Sequence, residues 1–431
     1  MSKLAIHGGS PVRTKIFPPH NFIGAEEKRA VNEVLDSGNL SQYIGCWHKD
    51  FFGGPKVQQL ERMWAEFVGT KHAVAINSNT SGLVAAIGAA GVGPGDEVIV
   101  SPYTMAASAT SIIAYNGIPV FADIEPETFC LDPESVRRCI TPRTKAIMVV
   151  HIFGHPARMD ELLAIAKEHN LVLIEDAAQA PGALYNGSKV GGLGDMTIFS
   201  LNYHKHIHTG EGGVVTTNSD YFAERLQLIR NHGEAVVADK GVKNLVNTFG
   251  FNLRMTEITA AIGIEQLKKL PVLLEQRIAN ANHLNNTIGK LPGLRAPVVK
   301  PGCTHAYYVQ PFLYDASVVG IPRDRFVEAV DKELPLAADR EWSLVYAGYL
   351  NPLYLLPMYQ QQVAFGKGYP FKCPEYKGTV NYSRGICPVT ESIETRIIGT
   401  EFMRPPCTTA DMQDVADAFT KVYENRHELR G

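Results

Sequence analysis

Apolar residues recur at helical spacing over Glu26–Leu35, with Ser37-Gly38 as a stop, and again over Lys56–Phe67. The period then changes. Ala73–Ile76 is a short apolar run that predicts a strand, and the Ala- and Gly-rich stretch Ser81–Ala90 predicts a helix. Pro94-Gly95-Asp96 forms a turn. Strands follow at Glu97–Val100, Pro119–Ala122, Ala146–Val150 and Leu171–Ile174, separated by helices at Ala106–Tyr115, Pro133–Cys139 and Met159–Glu168. This alternation, which continues to about residue 220, implies βαβ units. It predicts an α/β fold with a mainly parallel sheet covered on both faces. After Leu270-Pro271 the pattern becomes a long polar-faced helix, Val272–Leu291, and then mixed strands and helices with Pro- and Tyr-rich connections. Tyr346–Asn381 has little periodicity and reads as loop. The expected organisation is an arm over 1–20, a large domain over 21–268 and a smaller C-terminal domain over 269–431.

Composition narrows the partners. A chain of 431 residues has room for two or three domains and a large core. The formal charge of −3 creates no field that favours nucleic acid or an anionic membrane, so neither is expected as a partner. No stretch approaches the ~18 apolar residues of a membrane span. Met1–Thr14 has no apolar run of the signal-peptide kind, and a cytoplasmic location is expected. The seven cysteines are scattered, odd in number and lack a C-x-x-C pair, which fits reduced thiols better than disulfides or a zinc knuckle.

Three segments carry candidate chemistry. Asn77-Ser78-Asn79-Thr80-Ser81-Gly82 lies between a strand and a helix, where backbone N–H groups can cradle a phosphate; an ordinary helix cap reads the same way. Glu175-Asp176 ends an apolar strand, the edge at which ligands gather in open α/β sheets. An acid there could pair with a cationic ring nitrogen, or could cap a helix or form a surface ion pair. Lys205 sits among histidines and aromatics before a glycine cluster, Gly210 to Gly213. A lysine used in Schiff-base chemistry needs a lowered pKa, from desolvation or nearby positive charge. The competing readings are a solvated lysine and a metal site on alternating His204, His206 and His208. No nearby Asp or Cys completes a ligand set, and no metal is expected.

Taken in order, Ile174-Glu175-Asp176-Ala177-Ala178-Gln179, Gly191-Gly192-Leu193-Gly194-Asp195, Phe199-Ser200, Lys205 with Thr209 to Gly213, and Gly250 to Glu257 resemble the DegT/DnrJ/EryC1/StrS family. These are pyridoxal-phosphate (PLP) enzymes of fold type I, mostly sugar and cyclitol aminotransferases. The resemblance runs from about Leu4 to Glu428. It implies a PLP-dependent transferase fold with a large domain and a smaller C-terminal α+β domain. It implies Lys205 as the residue that holds the cofactor as a Schiff base and later shuttles a proton, with Asp176 on the pyridinium nitrogen and Gln179 on the phenolic oxygen. Thr80, Ser81 and Ser200 are implied for the phosphate. Asn252 is expected to reach it from a neighbouring subunit, making the site a shared one in a homodimer. The sequence departs from the family at Asn79 in the phosphate loop, at Met105 where relatives place an aromatic over the ring, and at Asn202 where many carry histidine. A related dehydratase subgroup has histidine in place of the lysine; the lysine here favours amino transfer. The resemblance implies ping-pong transfer from glutamate or glutamine to a keto sugar, nucleotide-linked by first expectation, with a free keto sugar or cyclitol as the alternative. The segments Leu4–Arg13 and Pro352-Leu353-Tyr354 are similar to the branch containing cyclitol and aminohydroxybenzoate-forming enzymes. Tyr43, Asn202, His204, Arg254, His305 and Tyr307 are candidate substrate contacts, each equally open to a packing role. Rival functions are a non-catalytic regulator with the same fold and a histidine-based metal enzyme.

Overall fold

A seven-stranded sheet lies at the centre of the protein, which the computed structural model describes over residues 3–430. Its first strands are β1 (His72–Ile76), β2 (Glu97–Val100), β3 (Ile118–Phe121), β4 (Thr144–Val150) and β5 (Val172–Asp176). A small hairpin, β6 (Leu184–Tyr185) and β7 (Ser188–Lys189), precedes β8 (Met196–Ser200) and β9 (Gly213–Thr217). The sheet order is β1-β9-β8-β5-β4-β2-β3. Strands β8, β5, β4, β2 and β3 pair in parallel, and β9 runs against both of its neighbours. This is the α/β architecture with a mainly parallel sheet that the alternating pattern predicted.

The strands are apolar because helices cover both faces. Side chains alternate along each strand. Val74, Ile76, Ile198 and Val215 face the layer that holds Leu83 of α3 (Asn79–Ala89) and Ile112 of α4 (Ala107–Ile113) once α1 (Ala25–Ser37) and α2 (Pro55–Val68) have been passed in the chain. Ala75, Phe199 and Val214 face the other layer, with Leu60 and Trp64 of α2. Helices α5 (Pro133–Cys139), α6 (Met159–Glu168), α7 (Asp220–Arg230) and the single turn α8 (Val237–Lys240) complete the connections.

The long helix differs from expectation. It is α9, Glu257–Thr287, and it passes straight through Pro271 instead of beginning after it. A proline inside a helix removes a hydrogen bond and costs roughly 3 kcal/mol. Burial of Ile264, Leu267, Leu270 and Leu273 on either side of Pro271 offsets that cost. The helix therefore runs across the expected domain boundary and ties the two units together.

The second unit has an antiparallel sheet, β10 (Leu294–Arg295), β11 (Gln310–Tyr314), β12 (Val345–Ala347) and β13 (Ile397–Thr400), in the order β10-β11-β13-β12. The N-terminal residues pack on it, with Leu4 and Phe17 fully buried in its core. The segment Tyr346–Asn381 is mostly irregular but not loose. Tyr354, Tyr359, Phe371 and Tyr382 cluster around Phe121 and lie against the large unit.

Glu257 shows how the family motif Gly250 to Glu257 serves the fold. Its carboxylate accepts hydrogen bonds from Lys56 N at 2.8 Å and Val57 N at 3.1 Å, so it caps α2 from the start of α9. Gly54 leaves room for it: a Cβ there would lie 2.6 Å from Glu257 Cδ. Glu257→Ala orphans buried N–H groups, and urea unfolding is expected to show a loss of about 1–3 kcal/mol. All seven cysteines are unpaired. Among the described residues, no helix is long and apolar enough to cross a membrane.

Candidate active site

The carboxyl ends of the parallel strands converge on a cavity of about 210 Å³. Val150 ends β4, Asp176 ends β5 and Ser200 ends β8, and all three line it. So do Ser78, Asn79 and Thr80 at the start of α3, Thr104 and Met105 after β2, and Gln179, Asn202, His204, Lys205 and Glu211. A larger hollow of about 590 Å³, between Lys49–Phe52, α2 and β1, is broadly open and contains no desolvated nucleophile, so size alone does not mark the site.

Two acids end β5 and have different roles. Glu175 is fully buried; it lies 2.9 Å from His151 Nε2 and accepts from Gly194 N at 2.6 Å and Thr197 Oγ1 at 2.7 Å. It is a structural group that locks β5 to β8. Asp176 faces the cavity. Ser108 Oγ donates to it at 2.8 Å and Ala178 N at 3.2 Å. Burial pushes its carboxyl upward, opposed by those two bonds, by the charge of Lys205 and by Asn79. Asn79 Nδ2 lies near enough to favour the carboxylate, yet makes no hydrogen bond of proper geometry and is buried without a partner.

Lys205 is only partly buried as a residue, but its amine is deep, with Nζ 4.2 Å from the centroid of the Tyr308 ring. Burial lowers its pKa to about 8, against the upward pull of Asp176 and Glu401. Glu401 is itself bound by Arg340, Arg404 and the Tyr346 hydroxyl. His20, from the N-terminal segment, lies 3.3 Å from the Lys205 carbonyl; its Nδ1 donates to Pro405 O at 2.7 Å. Burial, then the charge of Arg277, lowers its pKa to about 3, so it is neutral.

The residues around Lys205 form turns, not an extended strand, which separates the three histidines. His204 lines the cavity and stays neutral, its pKa lowered to about 4 by burial and then by the charges of Lys205 and Arg340. His206 turns inward onto Ala306 O at 2.8 Å, and His208 Nδ1 accepts from Gly210 N at 3.3 Å. Among the described residues, no group of three or more His, Cys, Asp or Glu could hold a metal ion.

At the phosphate-loop position, Ser78 is the helix cap: its Oγ accepts from Ser81 N at 3.1 Å and donates to Ser81 Oγ at 2.9 Å. Ser81 is thereby engaged within the cap and does not line the cavity, whereas Thr80 does. Gly213 of β9 permits this loop to lie close, since a Cβ there would come within 2.7 Å of the Ser78 carbonyl carbon. Gln179 is oriented at both ends: Oε1 accepts from Phe153 N at 2.5 Å and Nε2 donates to Tyr349 OH at 3.0 Å. Asn202 donates to Glu211 at 2.8 Å. Met105 is 62% exposed at the mouth.

Other candidates are not brought to the cavity. His305 and Tyr307 are buried and stack at 4.0 Å; Tyr307 N donates to His305 Nδ1 and its hydroxyl accepts from Asn285. Neither lines the cavity, and the bonds they make lie inside the core. Tyr43 is buried beneath the guanidinium groups of Arg230 and Arg254, and Arg254 Nε donates to Asn231 at 2.8 Å. Asn252 is exposed and does not line the cavity of its own chain, although its carbonyl accepts from Asn77 Nδ2 at 3.5 Å. Sequence reasoning missed Ser108, Tyr308, Tyr349 and Glu401, which lie far along the chain from the motifs they support.

The fold and this lysine–carboxylate site define a transferase class. Residues 21–370 match the DegT/DnrJ/EryC1/StrS aminotransferase family. The L-glutamine:2-deoxy-scyllo-inosose aminotransferase of Streptoalloteichus tenebrarius is 36% identical, with 99% of each chain covered. The solved aminotransferase from Psychrobacter cryohalolentis has a TM-score of 0.81 at 30% identity, covering 95% of this chain and all of that one. DesI, solved in the presence of its TDP-sugar product, gives a TM-score of 0.81 at 28% identity, covering 99% of this chain and 97% of that one. The chain belongs to the DegT/DnrJ/EryC1/StrS family, and it is a PLP-dependent aminotransferase.

Proposed function

We propose that the protein moves an amino group from glutamate or glutamine to the ring ketone of a sugar or cyclitol, with PLP held on Lys205. The single observation that carries this reading is a desolvated amine and a buried carboxylate sharing one cavity. The residues fit the cofactor. Asn79 Nδ2 is a buried donor with no partner, the Gly213 backbone leaves room for the loop at Ser78, and the cavity combines one amine, one carboxylate and hydroxyl donors.

When bound, PLP supplies an aldehyde for the amine and a ring that draws electron density from the substrate. Lys205 would hold it through Nζ and would then carry a proton to and from the substrate carbon. Asp176, whose carboxylate the bonds from Ser108 and Ala178 favour against the effect of burial, would pair with the ring nitrogen and favour its protonated form. Gln179, fixed by Phe153 and Tyr349, would orient the ring's phenolic oxygen. Thr80 and Ser200, which line the cavity, would hold the phosphate, and Met105 at the mouth would offer a thioether where an aromatic was expected. The test is donor-dependent bleaching: the yellow enzyme should lose its colour with glutamate or glutamine and release a stoichiometric 2-oxo acid. A colour unmoved by any amino acid contradicts the reading.

The pH dependence follows from the pKa of about 8 at Lys205. Only the neutral amine attacks an aldehyde. Recombination of cofactor-free enzyme with PLP, followed by stopped-flow absorbance, should therefore quicken as pH rises through about 8 and level off above it.

We further propose a homodimer in which Asn252 completes the partner's phosphate site. Its exposure supports this, as do the exposed neighbours Leu245, Val246, Phe249 and Phe251, which form an apolar surface of the kind that marks interfaces. Asn252→Ala should weaken PLP binding about 10- to 100-fold, the effect of one charge-assisted hydrogen bond. Mixing it with inactive Lys205→Ala should regain activity, because the mixed dimer contains one intact site.

A further inference from the structure

Lys205 Nζ rests over the buried ring of Tyr308, 4.2 Å from its centroid. At that distance the negative face of an aromatic ring attracts an ammonium. Tyr308 comes from the second unit, two residues before β11, and two unusual backbone conformations aim its ring. Phe153 has a φ of 58° and Tyr307 one of 49°, in the left-handed region that bulky residues seldom enter. The two segments pair: Ala306 N donates to Gly154 O at 2.8 Å and Tyr308 N to Phe153 O at 2.7 Å. Gly154 permits the approach, since a Cβ there would lie 2.9 Å from Tyr307 N. Phe153 N also holds Gln179, so one clamp fixes both residues. Tyr307 turns away to stack on His305, while Tyr308 turns to the lysine. Backbone strain of this kind gathers at functional sites.

The other groups around the amine are committed elsewhere. Asp176 from β5 and Glu401 from the end of β13 attract it against the effect of burial. Asp176, on the proposed reading, is reserved for the cofactor's ring nitrogen. Glu401 is shared by Arg340, Arg404 and the Tyr346 hydroxyl. Glu211, across the cavity, accepts from Asn202. Arg404 lies 5.9 Å from the same ring centroid but is held by Glu401, and Arg277 donates to Tyr307 O. His20, His204 and His206 are kept neutral, in each case first by burial. Burial likewise pushes the phenols of Tyr308, Tyr346 and Tyr349 upward, so they stay protonated. What is left to the amine is the face of the Tyr308 ring.

We propose that the Tyr308 ring is the resting place of the Lys205 amine whenever it is free of the cofactor, binding it as an ammonium and so fixing both its position and its hold on a proton. Tyr308 is thus a positioning residue for the proton-carrying group. This rests on the proposed aminotransferase reading, in which the lysine comes off the cofactor in each half of the transfer and then moves a proton.

The test needs neither cofactor nor substrate. Lys205 lines the cavity, so a small acylating reagent can reach it. The cofactor-free full chain is treated with acetic anhydride across a range of pH, and acetylation of Lys205 is followed by peptide mass spectrometry. Tyr308→Phe, which keeps the ring, should leave the midpoint of that profile within about 0.3 pH units of the parent's. Phenylalanines with one, two and three fluorines at position 308 keep the ring's shape while draining charge from its face. The midpoint should fall stepwise along this series, by about one pH unit at the third fluorine, because a weaker hold on the ammonium lowers the amine's pKa. Acetylation at about pH 6.5 should quicken roughly fivefold in parallel. Failure of the aminotransferase reading cannot mimic these shifts, since that reading is examined separately by donor-dependent bleaching. A midpoint unmoved across the fluorine series, or one that moves with Tyr308→Phe and no further, overturns the inference.

Discussion

Lys205→Arg is expected to lower transamination by about 10⁴-fold or more, the scale on which loss of a covalent catalytic group is felt. Arginine is the informative substitution. It retains a cation of similar length over Tyr308, so packing and local charge change little. It cannot serve as the nucleophile, because a guanidinium stays protonated at any working pH. The chromophore should be absent or non-covalently bound, and thermal unfolding should stay close to that of the parent. The measurement is the steady-state rate of 2-oxo acid formation, set beside the absorbance spectrum.

The second large effect is at Asp176. Asp176→Asn should reduce kcat by about 10²–10³, a typical magnitude for losing one preorganised electrostatic partner of the reacting group. The amide oxygen can still accept from Ala178 N while its NH2 donates to Ser108 Oγ, whose hydroxyl can turn, so the pocket's shape is retained. It lacks the charge that keeps a ring nitrogen protonated. It also removes the through-space pull of Asp176 on Lys205, which now rests on Glu401 alone. The lysine's pKa should fall, and the rise in PLP recombination should move to lower pH than in the parent. A substitution acting only through stability would leave that profile in place.

Much of this site could be read in the chain because its key groups are local to strand ends. Asp176 and Gln179 are three residues apart after an apolar run, and Lys205 follows Phe199-Ser200 at a fixed distance. The parallel sheet was likewise visible, since strands covered on both faces appear as unbroken apolar runs. Strands β8 and β9 were not read as separate elements, because threonines break their apolar runs and glycine-rich segments adjoin them. The long helix α9 was misjudged at its start because Pro271 reads locally as a breaker, whereas its tolerance depends on buried contacts on both sides. Residue type alone nominated His305 and Tyr307, which stack on each other in the core and do not line the cavity. Conversely, Ser108, Tyr308 and Glu401 reach Lys205 and Asp176 from distant segments, and no local spacing announces them. Glycines at 194 and 213 looked like part of a chemical motif. Each is required by backbone contact: a Cβ at Gly194 would lie 2.8 Å from Leu173 O.

The central claim is that the amine of one residue holds the cofactor covalently. The direct measurement is borohydride reduction of the yellow enzyme, followed by proteolysis and mass spectrometry of the labelled peptide. The account predicts a pyridoxyl-phosphate mass on Lys205, within the segment Tyr203–His208, and on no other lysine. A label on a different lysine, or a fully reduced sample in which Lys205 is unmodified, would contradict it.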